Sequence, residues 1–161
     1  MRTLNLRLTA ILLVVGVVFG GGVYFMHAYQ VRRNAYVFER EADRALDLAA
    51  KAAKDKDPQA EKKAYQDAIK NLAWYVRLVP DNVDVLEKLG MLMADHIQDA
   101  RAFARAFGFL ERVLRQEPGR MNVRRRLVGL AIMARRYQDA KEHLQEFLLK
   151  DSPKDAELWE L

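Results

Sequence analysis

Cysteine is absent from the 161 residues, so neither a disulfide nor a thiol nucleophile is available. Serine occurs once, as Ser152, and threonine twice, as Thr3 and Thr9. Hydroxyl nucleophiles are thus confined to one predicted helix cap and an apolar N-terminus. Histidine is scarce too: His27, His96 and His143 stand far apart. His96 beside Asp95 and Asp99 reads as a solvated turn rather than a metal site, and His143 as an ordinary surface residue. Gly20-Gly21-Gly22 lies in an apolar run, which leaves no glycine-rich loop for phosphate, and nothing marks two carboxylates as an acid/base dyad. This inventory argues against an enzyme and implies no cofactor and no metal. Only 4 prolines and 8 glycines interrupt a chain rich in Ala, Leu, Arg, Lys, Asp and Glu, a composition that favours an all-α fold.

What is present begins with an apolar run. Residues 1–7 are short and basic, and the 19 residues Leu8–Met26 carry no charge. The next full charge is Arg32, so 8–29 is long enough to cross a bilayer, with Tyr24 and Tyr29 suited to an interfacial belt. A cleaved signal peptide is the rival reading, with Leu8–Phe19 as its core and Gly20-Gly21-Gly22 as a small-residue cleavage site. The apolar run resumes as Val23-Tyr24-Phe25-Met26, which favours an uncleaved single-pass anchor. A buried soluble helix would need a polar face, and none exists. Gly16 and Gly20 form a Gly-x-x-x-Gly pair that lets two spanning helices approach. Arg2 and Arg7 precede the span, while Arg32, Arg33, Arg40 and Arg44 follow it among acids. A count of Lys and Arg alone favours the C-terminal side as cytoplasmic, whereas a very short basic N-terminus before one span usually stays inside, which is the reading that puts the rest of the chain outside the cytoplasm.

Residues 30–161 read as paired helices. From Tyr29 to Lys54 no breaker occurs, and Ala42, Leu46, Ala49, Ala50 and Ala53 give a narrow face. Asp57-Pro58 reads as an N-cap with proline at the first helical position. Tyr65, Ala68, Leu72, Tyr75 and Val76 then share one side of a helix that runs to about Val79. Pro80-Asp81-Asn82 breaks the chain, with Asp81 and Asp84 placed for the next start. Val85, Leu86, Leu89, Gly90 and Met93 follow, then Phe103, Ala106, Leu110, Val113 and Leu114 before Pro118-Gly119. In 121–149, Val123, Leu127, Leu130 and Ala134 form one face, and Tyr137, Ala140, Leu144 and Leu148 another. Only Ala134-Arg135-Arg136-Tyr137 joins them, so the second helix must fold back on the first.

The three second-helix patterns are copies of one another. Tyr137, Ala140, Leu144, Phe147 and Leu148, with Leu127 and Ala131 before them and the Leu89-Gly90 pair, resemble the tetratricopeptide repeat. Pro80 to Pro118 spans 38 residues and Pro118 to Pro153 spans 35, against a family period of about 34. The four extra residues of the longer step are expected in Asp95–Ala102. The resemblance implies stacked hairpins at about 35–79, 82–117 and 120–151, with a further helix beginning in 153–161 at Ser152-Pro153. The tail Ala156-Glu157-Leu158-Trp159 resembles the opening of another repeat without a capping helix. Either a partner covers that end or the native chain continues.

The resemblance also implies a groove lined by first helices: Asp84, Glu87, Met91 and Ala94 in the second hairpin, and Asn122, Arg125, Gly129 and Ile132 in the third. Met91 and Gly129 stand where many peptide-binding members place asparagine, which leaves helix packing and self-assembly open beside peptide capture. Ten arginines fall between Arg101 and Arg136 against two acids, a local balance of +8, while 137–161 carries −4. Mutual neutralisation of these two regions is one reading. The other is an anion-binding patch of Arg112, Arg115, Arg120, Arg124, Arg125, Arg126, Arg135 and Arg136, suited to an acidic peptide or a lipid headgroup. Nucleic acid fits least, since beyond residue 7 there are 25 basic and 22 acidic residues. The expectation is an all-α protein with an N-terminal transmembrane helix and a tetratricopeptide-like α-solenoid, acting as a scaffold for protein partners. Two alternatives stand beside it: a subunit that self-assembles through stacked repeats, and the N-terminal part of a longer protein whose activity lies elsewhere.

Overall fold

The computed structural model describes residues 6–96 and 99–144. Among them six helices follow one another and no strand occurs: α1 Leu6–Lys54, α2 Pro58–Leu78, α3 Val83–Asp95, α4 Ala100–Gln116, α5 Met121–Met133 and α6 Tyr137–His143. The tail signals at Ser152-Pro153 and Ala156–Trp159, and the helix positions Phe147 and Leu148, lie outside the described residues.

With no proline before Pro58, α1 runs unbroken for 49 residues, about 74 Å at 1.5 Å per residue. Its apolar stretch and its first polar turns are therefore one rod. Among the described residues α1 is the one helix long and apolar enough to cross a membrane, and its apolar stretch is buried against nothing. Phe19, for example, is 74% exposed.

Beyond residue 34, α1 packs along α2. The buried positions are Ala35, Ala42, Ala45, Ala49 and Ala52, whose steps of three, four and seven follow the 3.5-residue repeat of two helices in prolonged contact. This corrects the face expected from sequence. Ala49 and Ala42 are on it, Leu46 is half-buried at its margin, and Ala50 and Ala53 are exposed. A stripe drawn at 3.6 residues drifts off such a seam by one position over a few turns.

The hairpin turns show why three residues suffice between helices. After α1, Lys56 adopts φ 56° and the Asp57 N–H reaches back to Ala52 O at 2.9 Å. After α5, Arg135 adopts φ 58° and the Arg136 N–H reaches Ala131 O at 2.8 Å. Both are helix ends closed by a left-handed residue, normally glycine. The first and third hairpins therefore share a turn although their turn sequences have in common only the basic residue at the left-handed position. Asp57 then caps α2, its Oδ1 accepting from Gln59 N at 3.1 Å and Ala60 N at 3.0 Å.

Four residues separate α3 from α4, against three in the other two hairpins. α4 also adds Ala100–Ala102 ahead of Phe103, whereas α6 begins at the matching Tyr137. The four extra residues of the longer step thus lie within Asp95–Ala102, as expected: one in the connection and three as an added first turn.

Between α2 and α3 the cap is Asn82, not Asp81. Its Oδ1 accepts from Val85 N at 3.2 Å, while its Nδ2 donates to Tyr75 Oη at 2.8 Å. An amide can accept and donate at once; a carboxylate can only accept. Asn82 therefore caps α3 and ties it to the end of α2.

Each hairpin packs its two helices together most extensively, and neighbouring hairpins meet through α2 with α3 and α4 with α5. One core runs through the stack, with Leu72, Leu86, Leu89, Leu110, Leu127 and Leu130 fully buried. Gly90 marks the closest approach. A Cβ placed there would come within 2.6 Å of Leu110 Cδ2 and 2.9 Å of its Cγ, so α3 and α4 meet where only hydrogen fits. Two expected core positions differ. Ala134 and Tyr137 are exposed, because they flank the α5–α6 turn and point past the end of the hairpin rather than into it.

Candidate functional site

Among the described residues no group of three or more His, Asp or Glu is placed to hold a metal ion, and the surfaces of the first helices come first. α3 and α5 are the first helices of adjacent hairpins and lie side by side. Of the eight expected groove positions, Asp84 and Asn122 are exposed, and Glu87, Met91, Arg125, Gly129 and Ile132 are half-buried. Ala94 is buried in the core instead: it lies on the side of α3 that meets α4. The seven that reach the surface present carboxylate, thioether, amide, guanidinium, backbone and aliphatic groups, which suits a mixed polar and apolar partner surface. A Cβ at Gly129 would meet open space, so that glycine leaves room on the face rather than permitting a close helix contact.

The arginines expected to form one anion-binding patch are largely engaged within the chain. Arg120 reaches Glu117 and Asp84, each at 2.6 Å, and also Glu87. These three carboxylates, Glu117 first, hold its guanidinium even more firmly protonated than usual. Arg112 meets Asp81 at 3.5 Å, and Arg126 pairs with Asp95. Arg136 pairs with Asp139 at 2.5 Å and lies 4.3 Å above the Phe107 ring. Arg124 is buried, donating to Pro118 O at 2.8 Å. Arg115 and Arg135 are exposed, and Arg125 is half-buried. Neutralisation is thus the prevailing arrangement among the described residues. Its acids come mostly from 81–95 upstream rather than from 137–144 downstream, because α3 packs on α4 and also reaches α5, which sets its acids beside the arginines of both.

His143 and His96 have more specific surroundings than a surface site and a solvated turn. His143 is half-buried, with its Nδ1 3.2 Å from Arg124 Nη1. A guanidinium only donates, so Nδ1 accepts and the ring is neutral. Burial, and then the Arg124 charge, push the imidazole below its ordinary pKa. His96 stacks on Tyr65 with ring centroids 3.8 Å apart rather than standing free in a turn.

Sequence reading missed a second surface. On the other side of the first two hairpins, α2 and the α3–α4 region enclose a cleft of about 460 Å³. Ile69, Ala73 and Met93 contribute apolar walls, and Lys70, Arg77 and Arg105 contribute charge. Trp74 stands at its edge, stacked on Phe38 at 6.3 Å, with Arg77 4.7 Å over its ring. The signal was present as Trp74 and Arg77, three apart on one helix. Their meeting with Met93 and Arg105 depends on how the hairpins stack.

Residues 98–161 match the family model of the tetratricopeptide repeat. The described part of that match comprises α4, α5 and α6, and the stack of α1–α3 precedes it. None of the curated proteins matches the chain.

Proposed function

We propose, from the tetratricopeptide likeness of residues 98–161, that the chain is a membrane-tethered scaffold that binds other proteins through stacked helical hairpins. The carrying observation is α1 itself. An apolar stretch covered by nothing continues without a break into the helix on which the first hairpin is built. An apolar surface of that length calls for lipid or another apolar cover. The role assigned is binding, with no catalytic step. The α3–α5 face, with Asp84, Glu87, Met91, Asn122, Arg125, Gly129 and Ile132, is the partner surface in this reading. Arg124, Arg126 and Arg136 support the fold beneath and beside it. In this reading the repeats stand outside the cytoplasm, from the short basic N-terminus before a single span and against the arginine count of its two flanks, Arg2 and Arg7 before it and Arg32, Arg33, Arg40 and Arg44 after it.

Membrane fractions washed with alkaline carbonate and then high salt test the anchor. The full-length chain should stay in the pellet, and its release would remove the tether. Photo-crosslinking residues at Met91 and Ile132, compared with Lys62 on the far side of α2, test the scaffold. Discrete adducts should form from the first two positions; equal or absent adducts from all three would refute the surface.

A further inference from the structure

We infer that one edge of the helical stack is built to lie on anionic lipid headgroups, an inference that rests on the membrane-tethered reading above. Contacts define the edge. Tyr36 on α1 meets Tyr75 near the end of α2, with ring centroids 6.4 Å apart, and Phe38 meets Trp74. Asn82 is bonded to Tyr75, Asp81 reaches Arg112 at the end of α4, and Asp84 reaches Arg120 at the start of α5. The α2–α3 and α4–α5 connections therefore lie together beside the first polar turns of α1. The turns at 55–57 and 134–136 lie at the opposite edge.

α1 sets the height of that edge. Tyr36 follows Tyr29 by seven residues, about 10 Å along the helix, and headgroups occupy several ångströms beyond the hydrocarbon. A helix tilt of about 20°, ordinary for a spanning helix, brings the near edge down to the surface. Lys54, at the end of the same rod, is about 38 Å from Tyr29.

The chemistry of the edge fits that location. Arg32, Arg33, Arg77 and Arg115 are exposed, and none forms an ion pair among the described residues. Of the acids of the edge, Asp81 is matched by Arg112, while Asp84, Glu87 and Glu117 share Arg120 and leave −2 against the +4 of the exposed arginines; Glu39 is half-buried. Tyr29, Tyr36 and Trp74 are exposed beside these arginines, and Arg77 lies over the Trp74 ring. An amphipathic ring beside a cation is the pairing that headgroups favour, and a negative leaflet attracts cations held within about a Debye length. An acidic protein would satisfy the arginines, but not their alignment with the end of the apolar span.

The absence of native cysteine makes the test direct. In the full-length chain, Gln116→Cys marks the near edge and Lys54→Cys the far one; both positions are exposed. Each carries a fluorophore, and vesicles carry a headgroup-linked quencher in phosphatidylcholine with or without phosphatidylglycerol. The label at 116 should be quenched more strongly when phosphatidylglycerol is present, with the difference removed by high salt. The label at 54 should not respond. Arg77→Gln with Arg115→Gln should shift the docked population by about thirtyfold, since each surface arginine contributes about fivefold. Arg32 and Arg33 stay, so insertion is unchanged, and far-UV circular dichroism reports that the variant is folded. If the label at 116 responds equally in neutral and anionic vesicles, or the double variant leaves quenching intact, lipid is overturned as the occupant and the arginines are left to an acidic protein. If the chain leaves the vesicles in alkaline carbonate, the tether fails and this inference fails with it.

Discussion

Gly90→Ala should destabilise the protein although alanine is the better helix former. In an open helix the exchange gains about 1 kcal/mol. Here the added Cβ would come within 2.6 Å of Leu110 Cδ2, 2.9 Å of Cγ and 3.4 Å of the Leu110 backbone N. Only the first of these is the far end of a side chain, and Leu110 is itself fully buried with nowhere to swing. Forcing a methyl into such a place costs about 1–3 kcal/mol. The contact at Cγ argues for the upper part of that range. The net expectation is a loss of about 1–2 kcal/mol, or a few degrees in Tm for a chain of this size. Gly129→Ala and Gly108→Ala are the controls. An added Cβ meets nothing within 4 Å at either position, so both should gain up to about 1 kcal/mol. Urea midpoints by circular dichroism, on the full chain in detergent micelles, separate the three. A double-mutant cycle sharpens the test. Leu110→Ala alone should cost about 2–5 kcal/mol, and less when alanine at 90 refills part of the space, a coupling expected to exceed about 0.5 kcal/mol. A Gly90→Ala protein as stable as Gly129→Ala, with no coupling to Leu110, would refute the close α3–α4 approach.

Ala106→Asp and Ala140→Asp should each unfold their hairpin by several kcal/mol, because both alanines are buried between helices; loss of helicity by circular dichroism is the readout, and a fully helical Ala140→Asp would show the α5–α6 register to be wrong. Lys56→Gly and Arg135→Gly should each raise the urea midpoint, since the left-handed conformation at φ 56° and φ 58° costs a side-chain-bearing residue about 1 kcal/mol that glycine does not pay; unchanged or lower midpoints would remove the shared turn. For His143, burial and Arg124 depress the folded pKa below 6.5, so the unfolded chain binds the proton first. Its contribution is complete above about pH 6.5 and is lost as pH falls through and below that value. Wild type should lose stability on acidification through this range more steeply than His143→Gln, and parallel pH profiles would refute the Arg124–His143 contact.

Much of the architecture was legible because it rests on local rules. Apolar spacing at 65–76, 85–93 and 103–114 marked helices whose faces are indeed buried, and Asp57-Pro58 announced the start of α2. The uncharged run before Arg32 stood out by composition alone. The glycine at 90 could be assigned a packing reason, because a glycine in mid-helix requires one. These features depend on a residue and its neighbours within a few turns.

What the tertiary structure decided depends on partners far along the chain. Whether the seam of α1 passes through Ala45 and Ala52 or through Ala50 and Ala53 is set by how long α2 stays beside it. Asn82 rather than Asp81 caps α3 because Tyr75, seven residues earlier, offers its hydroxyl to the amide. The arginines looked like one basic patch in a linear count, since α3 and its acids lie up to 36 residues upstream of Arg120. Stacking brings those carboxylates within hydrogen-bond reach; of the expected patch Arg115 and Arg135 stay exposed with no ion pair among the described residues, and Arg32, Arg33 and Arg77 join them from outside it. Charge sums along a chain but is neutralised in space, so sequence alone could count the arginines and only the packed hairpins could say which of them were left over.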